Sequence, residues 1–365
     1  MRFAAPDILR WFCFEQAAAV SYDLAKSDAP TPNLAELGIE TPPLRLRPGA
    51  VGGAGELRAA LGARYGVGAE EVVVSLGASM TNFLVFAALL EPGDVALVEE
   101  PAYDPLVAVP RALGAGVRRF PRPRAAGYQP DLEALAAAAP GCKLIVLTNL
   151  HNPSGAALGG DRLAAIAEIA RRAGAWVLCD EAYRRFQPAL PPLARFGPHC
   201  LSVDTLTKVW GLSSLRVGWV VAAAPLCRSI VEAAMVCHVS NPAPTEEVAL
   251  TLLAHADRLD AWSRSALERN RRLALEFLAR QPGLSCYRPE AGPIFFPYLP
   301  GNAPARPFVQ RLAAAYDTRV VPGDVFGEPT AFRLSCGGET PMLEEGLRRL
   351  AQCLREERGA ALPQP

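Results

Sequence analysis

Lys208 stands out because the sequence uses so little lysine. The chain contains only three lysines, Lys26, Lys143 and Lys208, and arginine supplies the other permanently cationic side chains. Lys208 lies in the largely apolar stretch 206–212. Apolar surroundings lower the pKa of a lysine, and the neutral amine can then attack a carbonyl carbon to form an imine. We therefore predict that Lys208 is a reactive residue in a binding site.

Asp180 is the second residue with a chemical signature, because it ends a run of apolar residues. It follows the segment 176–179, which has the composition of a buried strand. A carboxylate in such a position needs a cationic partner or several hydrogen-bond donors. A structural salt bridge would satisfy this need, and so would a protonated pyridine nitrogen.

A third group of residues could bind a phosphate. Thr205, Thr207 and Arg216 offer hydroxyls and a guanidinium on either side of Lys208. In addition, the segment Gly77-Ala78-Ser79 joins an apolar run to a predicted helix, and the free N–H groups at a helix start attract anions. Ser79 as an ordinary helix N-cap is the alternative for that segment.

Three further polar or aromatic residues follow or interrupt apolar segments. Tyr103 and Asn152 come shortly after predicted strands, and Arg333 lies between apolar residues as an inward-facing charge on a strand. Turn and loop positions of this kind often carry function. Each also has a structural alternative, which is core packing for Tyr103, an Asx-turn for Asn152 and a core-edge salt bridge for Arg333.

These residues are positioned by a predicted alternation of strands and helices. Near-continuous apolar runs predict strands that helices cover on both faces, and the alternation predicts an α/β domain with a mainly parallel sheet. In such sheets, ligands bind at the carboxyl ends of the strands. The predicted strands are Val72–Ser75, Val95–Glu99, Leu144–Thr148, Trp176–Asp180, Cys200–Thr205 and Gly218–Ala222, and the predicted helices are Glu56–Tyr65, Asn82–Leu90, Leu132–Ala139, Gly160–Ala173 and much of Thr245–Arg280.

The chain length favours two domains, since 365 residues exceed what one core usually serves. We predict an N-terminal arm that includes part of the small domain over residues 1–48, a large domain over 49–280 and a small α+β domain over 281–365. The arm contains a Pro-rich stretch from Pro30 to Pro48, which is typical of extended chain.

Composition narrows the classes of partner. The 37 basic and 37 acidic residues balance, so a nucleic-acid partner is not expected. The nine cysteines have no C-x-x-C spacing, which argues against a metal site and a disulfide framework. Neither a signal peptide nor a membrane span is expected, and a cytoplasmic location fits best.

Taken together, these segments resemble the class I/II aminotransferases, the fold-type I pyridoxal phosphate enzymes typified by aspartate aminotransferase. The resemblance covers roughly residues 50 to 345, and its most specific motif is T-K-x-x-G-L-x-x-x-R-x-G from Thr207 to Gly218. It implies a cofactor, pyridoxal 5'-phosphate, and a homodimer that transfers an amino group between an L-amino acid and a 2-oxo acid.

The resemblance also assigns roles around the cofactor ring. Lys208 corresponds to the Schiff-base lysine, which also moves the proton between the substrate Cα and the cofactor. Asp180 corresponds to the carboxylate that keeps the ring nitrogen protonated. Tyr183 and Asn152 are similar to the pair that binds the phenolic oxygen, and Tyr103 to the aromatic residue that stacks on the ring.

For the cofactor phosphate, the resemblance implies backbone amides of Ala78 and Ser79, the hydroxyls of Ser79, Thr205 and Thr207, and the guanidinium of Arg216. For the substrate, Arg333 corresponds to the arginine that binds the α-carboxylate, with Asn152 beside it. The chain departs from the family at Pro48, where many relatives have a tyrosine that reaches the phosphate of the partner subunit.

Transamination is the predicted reaction, because every group needed for the proton shift is present. The same fold and cofactor also serve other reactions at the substrate Cα and beyond. The alternatives are a lyase that eliminates at the β or γ carbon, a cyclase, an oxidase and a decarboxylase. A regulatory protein that binds the cofactor without catalysis would carry a basic DNA-binding segment, and the sequence has none.

Overall fold

The computed structural model describes residues 3–15 and 20–361. In these ranges the strands are β1 Tyr22–Asp23, β2 Val72–Ser75, β3 Val95–Glu100, β4 Gly116–Pro121, β5 Leu144–Thr148, β6 Trp176–Asp180, β7 Cys200–Thr205, β8 Gly218–Val221, β9 Ile294–Phe295, β10 Thr318–Arg319, β11 Val321–Pro322 and β12 Phe332–Ser335. The helices are α1 Asp7–Arg10, α2 Gly55–Tyr65, α3 Gly77–Leu89, α4 Pro105–Ala112, α5 Leu132–Ala138, α6 Gly160–Ala173, α7 Leu206–Val209, α8 Ala224–Cys237, α9 Ala243–Ala254, α10 Ala256–Arg280, α11 Ala305–Tyr316 and α12 Thr340–Ala361.

A seven-stranded sheet in the order β2-β8-β7-β6-β5-β3-β4 forms the centre of the protein. Only β8 runs against its neighbours β2 and β7, and the other pairings are parallel. Gly218 at the start of β8 pairs with Ser75 on one side and with Thr205 on the other. The carboxyl ends of β2 and β7 therefore meet at one edge of the sheet, together with those of β3, β5 and β6.

Helices cover both faces of the sheet because successive strand residues point in opposite directions. In β5, Val146 packs into a cluster with α3, α4 and α8, while Ile145 packs into a second cluster with α5 and α6. Every residue of β5 is buried. The predicted α/β architecture with buried parallel strands is thus confirmed.

The remaining strands are short and lie outside the main sheet. The strands β11, β12 and β9 form an antiparallel sheet of three, and β1 pairs with β10 in parallel. The β1 pairing ties the N-terminal segment to the C-terminal part of the chain. Arg333 lies on the central strand of the small sheet, opposite Val321.

Most predicted strand limits agree with the structure, and the helical predictions differ more. The region 245–280 contains two helices, since α9 ends at Ala254 and α10 begins at Ala256. The predicted helix 82–90 begins five residues earlier, at Gly77. The edge strand β4 was not predicted because it carries two arginines, and α4 was not predicted because it contains an internal proline. The helix α8 was also not predicted.

Two further properties concern the described residues only. None of their helices combines the length and the apolar character that crossing a membrane requires. They also contain no group of three or more His, Cys, Asp or Glu residues arranged to hold a metal ion.

Candidate active site

A cavity of about 280 Å³ lies at the carboxyl edge of the main sheet. It is lined by all of the residues that the sequence analysis selected, and it also includes parts of the N-terminal segment. The predicted residues that line it are Ala78, Ser79, Tyr103, Asn152, Asp180, Tyr183, Thr205, Thr207, Lys208, Arg216 and Arg333. The fold therefore brings together residues that are up to 255 positions apart, from Ala78 to Arg333.

Lys208 lies in α7, immediately after β7, and its amine hydrogen-bonds to two residues of the N-terminal segment. The Nζ atom is 2.5 Å from Asp28 Oδ1 and donates to Ser27 Oγ at 3.2 Å. Burial alone would lower the pKa of Lys208, but the attraction of Tyr183 and Asp28 outweighs burial and the pKa is raised. The prediction of a lowered pKa is therefore wrong for this structure, because the sequence analysis did not place an acid beside the amine.

Asp180 ends β6 and is buried, with 8% of its surface exposed. Its Oδ2 accepts a hydrogen bond from Asn82 Nδ2 at 2.8 Å, and its Oδ1 accepts one from the Ala182 N–H at 3.1 Å. Burial raises the pKa of Asp180, and these two donors only partly oppose the shift. A cationic N–H group in the cavity would complete the stabilisation of the carboxylate, as the protonated pyridine nitrogen does in the predicted role.

The hydroxyl of Tyr183 and the amine of Lys208 share an acceptor. Tyr183 donates to Ser27 Oγ at 2.8 Å, which places it on the same side of the cavity as Lys208 Nζ. The side-chain oxygen of Asn152 accepts from Arg333 Nη1 at 3.0 Å, so the amide N–H₂ group can donate to a ligand. Tyr103 also lines the cavity, and burial raises its pKa.

No side chain caps the start of α3, so the first backbone N–H groups of this helix are free to bind a ligand. We call this helix start the phosphate cup. Gly77 adopts φ 80°, and a Cβ there would lie 2.5 Å from Arg216 Nη2. A Cβ at Gly218 would lie 2.5 Å from the carbonyl carbon of Gly77. Both glycines are thus required for the close approach of the guanidinium, the helix start and β8. The alternative role of Ser79 as the N-cap is wrong, since Leu76 occupies that position.

Thr205 and Thr207 have different tasks in this cup. The hydroxyl of Thr205 donates to the Val217 carbonyl at 2.8 Å and accepts from the Thr207 N–H, which caps α7. Its proton is therefore committed to the protein. Thr207 is the hydroxyl better placed to donate to a bound anion, while Thr205 orients the turn that carries Thr207 and Lys208.

Arg333 is buried with 3% of its surface exposed, and its hydrogen bonds go to neutral groups. Nη1 donates to Asn152 and Nη2 donates to the Ala25 carbonyl at 3.1 Å. The Nε atom is buried and has no hydrogen-bond partner among the described residues. Burial lowers the pKa of Arg333, although an arginine remains charged at any neutral pH. A buried guanidinium with an unused N–H group matches the requirements of a substrate carboxylate.

Behind the cavity, a buried ion pair fixes the loop that carries Asn152. Arg122 Nη1 lies 2.6 Å from Glu99 Oε2, and both side chains are fully buried. Glu99 Oε1 accepts from the hydroxyl of Thr148 at 2.6 Å, and that hydroxyl accepts from the Asn152 N–H at 3.0 Å. This network was not predicted, although Glu99 near the end of the apolar strand β3 was a signal for it in the sequence.

Asn82 and the N-terminal residues of the cavity were also not predicted from the sequence. Ala25, Ser27 and Asp28 line it, and so do the apolar residues Ile8 and Leu9 of α1 and Phe12, which follows α1. A polar group between Ala25 and Ala29 was visible in the sequence. Asn82 offered no comparable signal, because one polar residue on a helix is common.

Comparisons with known proteins identify the family of the chain. The family model described as "Aminotransferase class I and II" matches residues 21–350. An arginine–pyruvate transaminase of Pseudomonas aeruginosa is 34% identical over 309 residues, which cover 81% of this chain and 77% of that protein.

Two solved structures are also similar along nearly the whole chain. A pyridoxal phosphate-dependent aminotransferase from Streptococcus suis superposes with a TM-score of 0.91 at 28% identity, covering 98% of this chain and 99% of the other. The pyridoxal phosphate-dependent cyclase OrfR superposes with a TM-score of 0.86 at 27% identity, covering 98% of each chain.

Proposed function

Because the chain belongs to the class I and II aminotransferases and is a pyridoxal phosphate-dependent transaminase, we propose that Lys208, Asp180 and Arg333 divide the work of amino transfer between an L-amino acid and a 2-oxo acid. The observation that carries this assignment is their position in one cavity, with the amine, the buried carboxylate and the buried guanidinium on different elements. The carboxylate of Asp180 suits the positively charged ring nitrogen, and the amine of Lys208 suits the Cα–H bond that reacts. The guanidinium of Arg333 suits the α-carboxylate of the substrate.

The cofactor fits the polar groups of the cavity. Arg216, Thr207 and the N–H groups at the start of α3 would hold its phosphate, and Asp180 would hold its ring nitrogen in the protonated state. Tyr183 and Asn152 would donate to its phenolic oxygen. Once bound, the cofactor supplies a positively charged ring that accepts the electron pair released when the Cα–H bond of the substrate breaks.

The protein then has to orient the substrate and move one proton. Arg333 binds the α-carboxylate through two parallel N–H groups, which fixes the direction of the Cα–H bond. Lys208 would take the Cα proton and return it to the C4' atom of the cofactor. Tyr103 would pack against the ring and, with the lining residues Ile8, Leu9 and Phe12, would exclude water from the reacting bond.

Transamination is tested by its two half-reactions. An amino acid added alone should convert the bound cofactor to its amine form, and a 2-oxo acid should restore the original absorption spectrum.

The Arg333→Lys variant serves as the control for substrate recognition. It should load the cofactor as the unmodified protein does, but it should need about 10- to 100-fold more amino acid, because one bidentate charged contact is lost. If Arg333→Lys fails to load the cofactor, Arg333 has a structural role instead.

Cyclisation of an amino acid is the second candidate, and the similarity to the cyclase OrfR favours it. The two reactions differ in the fate of the amino group. A cyclase or a lyase would form product from the amino acid alone and would not leave the cofactor in its amine form. Failure of a 2-oxo acid to accept the amino group would therefore replace transamination with one of these reactions.

A homodimer is proposed from the surface beside the phosphate cup. Met235 and Val236 at the end of α8, and Val239 just beyond it, are exposed by 52%, 87% and 61%. The neighbouring His238 hydrogen-bonds to Ser75 at 3.2 Å, which places this apolar patch next to the start of α3. A second copy would cover both the patch and the exposed side of the cup. Light scattering should give twice the mass of one chain, and a monomer in solution would exclude this proposal.

We also propose a cytoplasmic location and the division of the chain at residues 48 and 280. Support for the location comes from the nine cysteines, which are all free thiols and mostly buried. Support for the division comes from the sheets, because the strands of the main sheet all precede α10, those of the three-stranded sheet all follow it, and β1 of the N-terminal arm pairs with β10. Cell fractionation and limited proteolysis check the two proposals.

A further inference from the structure

Asp28 is a charged residue of the cavity that the proposed division of work does not use. Its carboxylate lies 2.5 Å from Lys208 Nζ, and 29% of its side-chain surface is exposed. Lys26 also lines the cavity but is exposed, and three other charged residues of the wall besides Lys208 have tasks of their own. Arg216 lies at the phosphate cup, Asp180 accepts from Asn82, and Arg333 donates to Asn152. The contact with Lys208 is the one feature of Asp28 that suggests a function.

The backbone holds Asp28 beside Lys208. The N–H of Ala29 donates to the Lys208 carbonyl at 2.9 Å. Two residues after Ala29 and three residues after Lys208, the hydroxyl of Thr31 donates to the Gly211 carbonyl at 3.0 Å. A Cβ at Gly211 would lie 2.5 Å from the Pro30 carbonyl oxygen, so the two segments are in direct contact. These contacts hold the segment that carries Asp28 against the segment that carries Lys208.

Several titratable groups face the amine of Lys208, and they differ in how they interact with it. Tyr183 and Tyr103 come from the loops after β6 and β3, and both add to the electrostatic attraction. Asp180 also attracts the amine, from a greater distance. Arg333 lies in the same cavity wall and repels it. Among the described carboxylates, Asp28 is the one in hydrogen-bond contact with Nζ.

We propose that Asp28 is a positioning residue for Lys208, whose carboxylate stabilises the protonated lysine nitrogen and directs it toward the substrate Cα. This inference rests on the proposed function, because it assumes that Lys208 takes the Cα proton. When the Cα–H bond breaks, the proton moves to Nζ, and the electron pair of that bond would pass into the ring of the bound cofactor. The new ammonium then lies beside a carboxylate, and this attraction favours the transfer.

The same contact acts before the reaction begins. In the loaded enzyme, the lysine nitrogen is bonded to the cofactor and can still carry a proton. An adjacent carboxylate stabilises the charged form, so the nitrogen stays protonated to a higher pH. Ser27 supports the arrangement, because its oxygen accepts from both Tyr183 and Lys208.

The decisive experiment is a pH titration of the visible absorption of the loaded enzyme, which reports the protonation of the lysine nitrogen. Asp28→Asn should lower the midpoint by about 1–2 pH units, because one opposite charge in contact is removed. Asp28→Glu should retain most of the original midpoint. The matched control is Glu40→Gln, which removes a carboxylate from an exposed position of the same N-terminal segment and should leave the midpoint unchanged.

A second measurement covers the case in which Asp28→Asn loads poorly. Reductive ¹³C-methylation labels the three lysines, and Lys26→Arg and Lys143→Arg variants identify the signal of Lys208 by NMR. The pKa of the Lys208 signal in the unloaded chain should fall in Asp28→Asn and remain in Glu40→Gln. An unchanged midpoint or an unchanged NMR pKa in Asp28→Asn would overturn the inference. A wild-type protein with no visible band attributable to Lys208 would instead overturn the proposed function.

Discussion

The variant Lys208→Ala should lose at least about 10⁴-fold in transamination rate, because one substitution removes both the covalent attachment of the cofactor and the base that moves the proton. The loaded protein should also lack the visible band of the lysine-bound cofactor. Absorption spectra and steady-state rates measure the two effects. Binding itself should persist, since the cup at α3 and the side chain of Arg216 are unchanged.

Lys143→Ala is the control for this substitution. Lys143 is exposed and precedes β5, so its removal changes the net charge equally without touching the cavity. It should keep both the visible band and the rate. A Lys208→Ala protein that retained the band would show that another amine holds the cofactor, and Lys26 would then be the residue to test, because it also lines the cavity.

The variant Asp180→Asn should lose about 10²- to 10³-fold in rate while it still loads the cofactor. An amide cannot balance a positive ring nitrogen, so the ring loses its proton and accepts electrons less well. The hydrogen bond from Asn82 should survive, because the amide oxygen can still accept it. Single-turnover kinetics of the amino-acid half-reaction measure the loss in the chemical step.

Asp257→Asn is a control with the same change of side chain at a fully exposed position. It should behave as the unmodified protein does. If Asp180→Asn changes cofactor affinity strongly and leaves the single-turnover rate intact, then Asp180 contributes to binding and not to the electronic state of the ring. Asn82→Ala should give an intermediate effect, since Asp180 keeps its charge but loses one donor.

The sequence alone specified the elements and the residues at their ends. The strands β2, β5, β6 and β7 were predicted with the limits that the structure has. Their apolar runs are long enough to indicate burial on both faces, and such a run can be identified from consecutive residues alone. The topology rule for parallel sheets then placed Asp180, Asn152 and Lys208 at one edge. The absence of the family's tyrosine at Pro48 was also visible in the sequence, because it requires only the identity of one residue at a fixed spacing from the motif.

Contacts between distant segments could not be predicted in the same way. Asp28 and Lys208 are 180 residues apart, Asn152 and Arg333 are 181 apart, and a single sequence contains no periodic signal that links them. Protonation depends on such contacts. Apolar neighbours in the sequence suggested a lowered pKa for Lys208, whereas the packed N-terminal segment places a carboxylate beside the amine and raises that pKa.

The sequence therefore determined which residues could do chemistry, since residue type and strand position are local properties. The tertiary structure decided which charges face one another, because electrostatic energies fall with distance through space and not with distance along the chain. In this protein, that difference separates Lys208, which its sequence motif identified, from Asp28, which only the folded chain places beside it.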